Sequence, residues 1–101
     1  MILVTILLPL FYNSGKRIPK TLHQSVKSEL SSRFGGLTSY SRSPAEGLWQ
    51  NRNRAQHEDI VVYEVIVRKP ETRWWKNYRK RLESKFQQSA VIVRAQAITL
   101  L

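Results

Sequence analysis

From Ile60 to Val67 the chain alternates, with Val61, Tyr63, Val65 and Val67 on one side and Ile60, Val62, Glu64 and Ile66 on the other. That is the period-two signature of a strand, predicted from about Asp59 to Arg68. After Arg68-Lys69-Pro70 the spacing changes: Trp75, Tyr78, Leu82 and Phe86 recur at helical intervals while Arg73, Lys76 and Lys80 occupy the opposite side. A helix is predicted there, with Thr72 as a candidate cap. A β-rich run from about Ala90 to Leu100 closes this half of the chain.

The first half repeats the order. Residues from Met1 to Leu8 are apolar on both faces, as a central strand requires, with Pro9 at the end of its ladder and Asn13-Ser14-Gly15 as turn chemistry. Leu22, Val26, Leu30 and Phe34 fall four residues apart and predict a second amphipathic helix. Its start fits either Pro19 at the first helical position or Thr21 with Gln24 as a capping box. Gly35-Gly36 supplies a stop that tolerates the left-handed conformation, so Val at either position is expected to destabilise. A short strand follows at about Leu37 to Ser41, then a long connection from Arg42 to Glu58 in which Leu48 and Trp49 read as a lid folded back on the core.

Two strand-helix-strand units in succession give βαββαβ. With right-handed crossovers this predicts an α+β fold: a four-stranded antiparallel sheet with both helices on one face, the ferredoxin-like arrangement, in a single domain. The opposite sheet face then carries Leu3, Thr5, Leu7, Val62, Glu64, Ile66, Arg94 and Gln96, an aliphatic floor with a few polar groups. Such a face suits either a copy of itself or a small-molecule cleft.

Composition narrows the chemistry. At 101 residues, 42% hydrophobic and 24% charged, the chain is long enough to bury a core and is not of disordered type. It has no cysteine, which excludes disulfides and thiolate chemistry. The apolar run from Met1 to Tyr12 is shorter than the roughly 20 residues that cross a bilayer. It also lacks the preceding cation and following small-x-small site of a signal peptide, so a buried strand and a cytoplasmic protein are expected.

Seventeen Lys and Arg against seven carboxylates leave a net charge of +10, which favours anionic partners. The predicted topology gathers Lys16, Arg17, Lys20, Arg52 and Arg54 at one edge of the sheet, where the first amides of helix one would also point, a candidate anion site. Nucleic-acid binding is a further expectation through the Arg73, Lys76 and Lys80 stripe. The stacking aromatics that RNA-recognition domains carry on their central strands are missing, because Tyr63 has helix-facing parity. No cofactor or metal is expected. His23 and His57 lie in different elements, His57-Glu58-Asp59 run in a line, and neither Gly-x-Ser-x-Gly nor a phosphate loop is present.

In layout the chain resembles the dimeric α/β-barrel proteins, whose ferredoxin-like subunits pair through their sheets. This resemblance implies a homo-oligomer and, if the pocket were enzymatic, a role for Glu64 and Arg94. It is also similar in topology to the PII-like signalling group, in which the loop corresponding to 42–58 helps bind nucleotides. Neither resemblance carries a sequence motif. The expected function is therefore a small basic homo-oligomeric interaction protein, with a small-molecule enzyme as the alternative.

Overall fold

The computed structural model describes residues 1–42 and 59–101. Its elements run β1 (Ile2–Pro9), α1 (Lys20–Phe34), β2 (Thr38–Arg42), β3 (Ile60–Val67), α2 (Thr72–Lys85) and β4 (Ile92–Ala97). The strands form one sheet in the order β2-β3-β1-β4, with every neighbouring pair antiparallel. This is the predicted α+β arrangement, compatible with ferredoxin-like topology. No described helix is long and apolar enough to cross a membrane.

Alternation decides which side of the sheet is dry. Val4, Ile6 and Leu8 of β1 and Val61, Tyr63, Val65 and Val67 of β3 join Val26 and Leu30 of α1 and Trp75, Tyr78 and Leu82 of α2 in one buried cluster. Both helices therefore cover the same face. The apolar stripes are those predicted, though Leu22 and Phe34, at the two ends of α1, are only partly buried. Between β1 and α1 the chain turns back on itself: Tyr12 N–H donates to the Lys16 carbonyl at 2.8 Å and Ile18 N–H to Leu10 at 2.9 Å. That hairpin delivers Ile18 to the core at 1% exposure.

Helix ends differ in detail from the expectations. Pro19 sits at the N-cap of α1 rather than inside it, and no side-chain capping bond forms there, so neither predicted start is realised. Glu71, in the left-handed region at φ 41°, caps α2 in place of Thr72, which becomes its first residue. Gly35 does adopt the left-handed cap at φ 81°, its N–H donating to Ser31 at 2.8 Å. Gly36 has no such φ, so the expected penalty for a side chain there does not follow.

The two helices meet through rings and ion pairs. Phe34 stacks on Trp75 with centroids 5.1 Å apart and planes 9° apart. The Arg33 guanidinium lies 4.3 Å from the Trp74 ring centroid and 2.9 Å from the Glu71 carboxylate, while Arg81 pairs with Glu29 at 3.1 Å. These ion pairs are exposed, so the aromatic contacts carry the greater share of the interface energy.

Candidate functional site

Strand register lays the second sheet face out in rows. One row reads Tyr40, Val62, Leu7 and Ile92 from β2 to β4; the next reads Thr38, Glu64, Thr5 and Arg94; a third reads Ile66, Leu3 and Gln96. All eight residues predicted for this face lie on it. They are not equally open. Thr5 and Val62 are buried and Leu3, Leu7 and Glu64 are half-buried, whereas Ile66, Arg94 and Gln96 are exposed. Tyr40 and Ile92, at 43% and 54% exposure, extend the apolar surface to both edge strands.

Glu64 and Arg94 stand at one register on either side of Thr5. Two strand spacings, about 10 Å, separate their backbones, and no ion pair joins the two side chains. Glu64 instead accepts a hydrogen bond from the Tyr40 hydroxyl at 3.3 Å, and Arg94 has no ion-pair partner among the described residues. Sequence reasoning assigned no residue of β2 to this face. Tyr40 has the right parity, but a five-residue strand of Thr, Ser, Tyr, Ser and Arg shows no hydrophobic alternation from which a face is readable.

The predicted basic edge is partly described. Lys16 and Arg17 lie on the return arm of the hairpin and Lys20 is the first residue of α1; all three are exposed, and the Arg17 guanidinium sits 5.6 Å from the centroid of the Phe11 ring. Arg52 and Arg54 lie outside the described residues, as do Leu48, Trp49 and His57. Among the described residues no group of His, Asp and Glu has the geometry of a metal site.

A second feature lies on the helix side of the sheet. A cleft of about 200 Å³ opens between α2 and β4, floored by Val4, Trp75, Val93 and Ala95, with Lys76 and Arg79 in its helical wall. The indole N–H of Trp75, which is 6% exposed, has no acceptor among the described residues. β4 carries only small side chains on this side, Val93, Ala95 and Ala97, and the first two line the cleft. Arg79 lies 3.7 Å from the Glu83 carboxylate, whose Oε2 also accepts the Val91 N–H at 3.1 Å and so ties the entry of β4 to α2.

His23, unassigned by sequence reasoning, is buried at 7% exposure between β1, β3 and the end of α2. Its ring contacts Tyr63 and Pro9 by hydrogen bonds and meets Phe86 edge-on, with centroids 5.0 Å apart. Burial, reinforced by Lys27 and Arg17, holds its pKa below the ordinary value against the opposing effect of the Pro9 carbonyl. A neutral, enclosed imidazole bonded on both nitrogens is a packing element.

No protein family, curated protein or solved structure matches this chain. The surfaces themselves must therefore carry the functional reading.

Proposed function

We propose that this protein is a self-associating interaction protein whose copies pair through the sheet face opposite the helices. The placement of Glu64 and Arg94 on either side of Thr5 supports this reading most directly. A twofold axis running along β1 and lying between two facing sheets exchanges left for right, so each Glu64 comes to stand opposite the Arg94 of the other copy. An axis across the strands would set like charges together. The face is thus electrostatically self-complementary in one orientation only, a property that confers register and specificity rather than affinity.

Affinity would come from the apolar surface around these charges. Ile66, Ile92 and Tyr40 are 45%, 54% and 43% exposed, and half-buried Leu3 and Leu7 lie between them. Large apolar groups gathered in this way are disfavoured in contact with water.

Sedimentation equilibrium over a range of concentrations tests the proposal. The parent is expected to be a dimer, Glu64→Arg and Arg94→Glu are each expected to dissociate it, and the double exchange is expected to restore association. A parent that stays monomeric, or a double exchange that rescues nothing, would sink it.

A further inference from the structure

The outer edge of β4 has a hydrogen-bonding capacity that no described element uses. Ile98 N–H donates to the Met1 carbonyl at 2.9 Å and Leu10 N–H donates to Asp59 on the β3 side. In an antiparallel ladder these directions alternate, so the odd residues of β1 turn to β4 and the even residues to β3. Their partners on β4, Ile92, Arg94 and Gln96, therefore face inward. Val93, Ala95 and Ala97 are left with N–H and C=O groups directed away from the sheet, on a strand that stands last in the order.

The same residues border the α2 cleft. Val93 and Ala95 point their side chains to the helical side and line it, so the free edge and the cavity form one groove with a strand on one side and a helix on the other. A groove of this shape fits an extended chain: its backbone pairs with the edge while alternate side chains drop between strand and helix. The floor of Val4, Trp75, Val93 and Ala95 is apolar, and the helical wall presents Lys76 and Arg79. Exposed Arg73 and Lys80 stand on the same helix, and Glu83 is the carboxylate nearest Arg79.

We infer that this groove receives an extended acidic peptide segment, added antiparallel or parallel as a fifth strand, with an aliphatic side chain on the floor and carboxylates against Lys76 and Arg79. Charge selects this occupant over a second copy of β4. Two identical strands paired at this edge would bring two sets of Lys76 and Arg79 together in a chain of net charge +10. The inference is independent of pairing through the sheet face, which leaves this edge uncovered.

The test uses a fluorescein-labelled peptide of Glu-Thr-Val-Thr repeats (the Glu-Val peptide), which sets Glu and Val in turn along one face of a strand, the same peptide with Lys in place of Glu, and polyglutamate. Anisotropy is expected to show binding of the Glu-Val peptide alone, weakening steeply with salt. Lys76→Glu with Arg79→Glu is expected to reduce affinity about tenfold or more. Ala95→Pro removes an outward N–H without touching the ladder to β1, a substitution that edge strands tolerate, and is expected to reduce affinity similarly. Should that variant fold poorly, a Glu-Val peptide N-methylated on alternate residues asks the same question of the unaltered protein. Hydrogen exchange is expected to slow at Val93, Ala95 and Ala97. Equal binding of polyglutamate and Glu-Val, indifference to N-methylation, or no binding at all would each overturn the inference.

Discussion

Tyr63 donates its hydroxyl proton to Nδ1 of His23 across 2.5 Å, while Nε2–H of the same ring donates to the carbonyl oxygen of Pro9 at 3.1 Å. A carbonyl only accepts, so the hydrogen must reside on Nε2, and Nδ1 is left as the acceptor for Tyr63. One imidazole thereby joins α1 to β3 and to the end of β1. Protonation would turn Nδ1 into a donor, reverse the bond to Tyr63 and place a charge in a buried site.

Stability is expected to fall on both sides of a plateau as a result. The His23 pKa is held below 6.5, chiefly by burial, so the folded state binds fewer protons there than the unfolded chain. Its contribution is complete above pH 6.5 and is lost as the pH falls beneath that value toward the depressed pKa. Tyr63 behaves oppositely: burial pushes its hydroxyl up from 10.0 to about 12, so its contribution is complete below 10.0 and disappears as the pH rises toward 12. Urea unfolding of the parent and of His23→Gln isolates the acid limb. The stability gap between them should narrow below pH 6.5, and a gap that stays constant would contradict the assignment.

Tyr63→Phe removes the donor and leaves Nδ1 of a buried ring without a partner. The expected cost is about 1–3 kcal/mol, the penalty for an unsatisfied buried polar group. In a double-mutant cycle with His23→Leu the two costs should not add, because the second substitution removes the orphaned acceptor. Additive costs would mean that the bond contributes nothing specific.

The termination of α2 offers a stabilising substitution. Gln88 N–H returns to the Glu83 carbonyl at 2.9 Å and Gln87 N–H to Ser84 at 3.3 Å, a Schellman arrangement that places Gln87 at φ 54°. Glycine is the residue that takes this conformation without a Cβ clash, so Gln87→Gly is expected to raise stability by about 1 kcal/mol. The same reasoning separates the two glycines after α1. Gly35→Ala should destabilise by a comparable amount because Gly35 holds a left-handed φ of 81°, whereas Gly36→Ala should be close to neutral, since Gly36 does not and a Cβ there meets no atom within 4 Å. Thermal melts of the three variants decide the order.

Periodicity made the architecture legible and left the chemistry hidden, for identifiable reasons. Tyr63 and Glu64 are adjacent on an alternating run, so opposite faces could be assigned to them directly. His23 was illegible because its partners are distant: Tyr63 lies 40 residues away, and a histidine beside a narrow apolar stripe reads as a surface residue. The α2 groove was illegible for a different reason. Ala95 and Ala97 register in a sequence as weak strand formers, and the space that a small side chain leaves appears only once a helix stands over it. Glu71 and Gln87 hold left-handed conformations that their residue types do not announce, since both positions ordinarily call for glycine or asparagine.

Trp75 is expected to be the most costly single truncation among the ring contacts between the helices. It is 6% exposed, lies in the core cluster, and contacts Phe34 face to face and Trp74 and Tyr78 edge-on. Trp75→Ala should therefore cost about 3–5 kcal/mol, as aromatic truncations in packed cores do. Trp74 tests the alternative that ring contacts alone matter. It touches Trp75, Tyr78, Phe34 and the Arg33 guanidinium, yet it is only half-buried. If burial dominates, Trp74→Ala should cost well under half as much, and the part owed to Arg33 should fall with Arg33→Gln in the same background. Equal costs for the two tryptophans would assign the interface energy to ring stacking rather than to removal of apolar area from water.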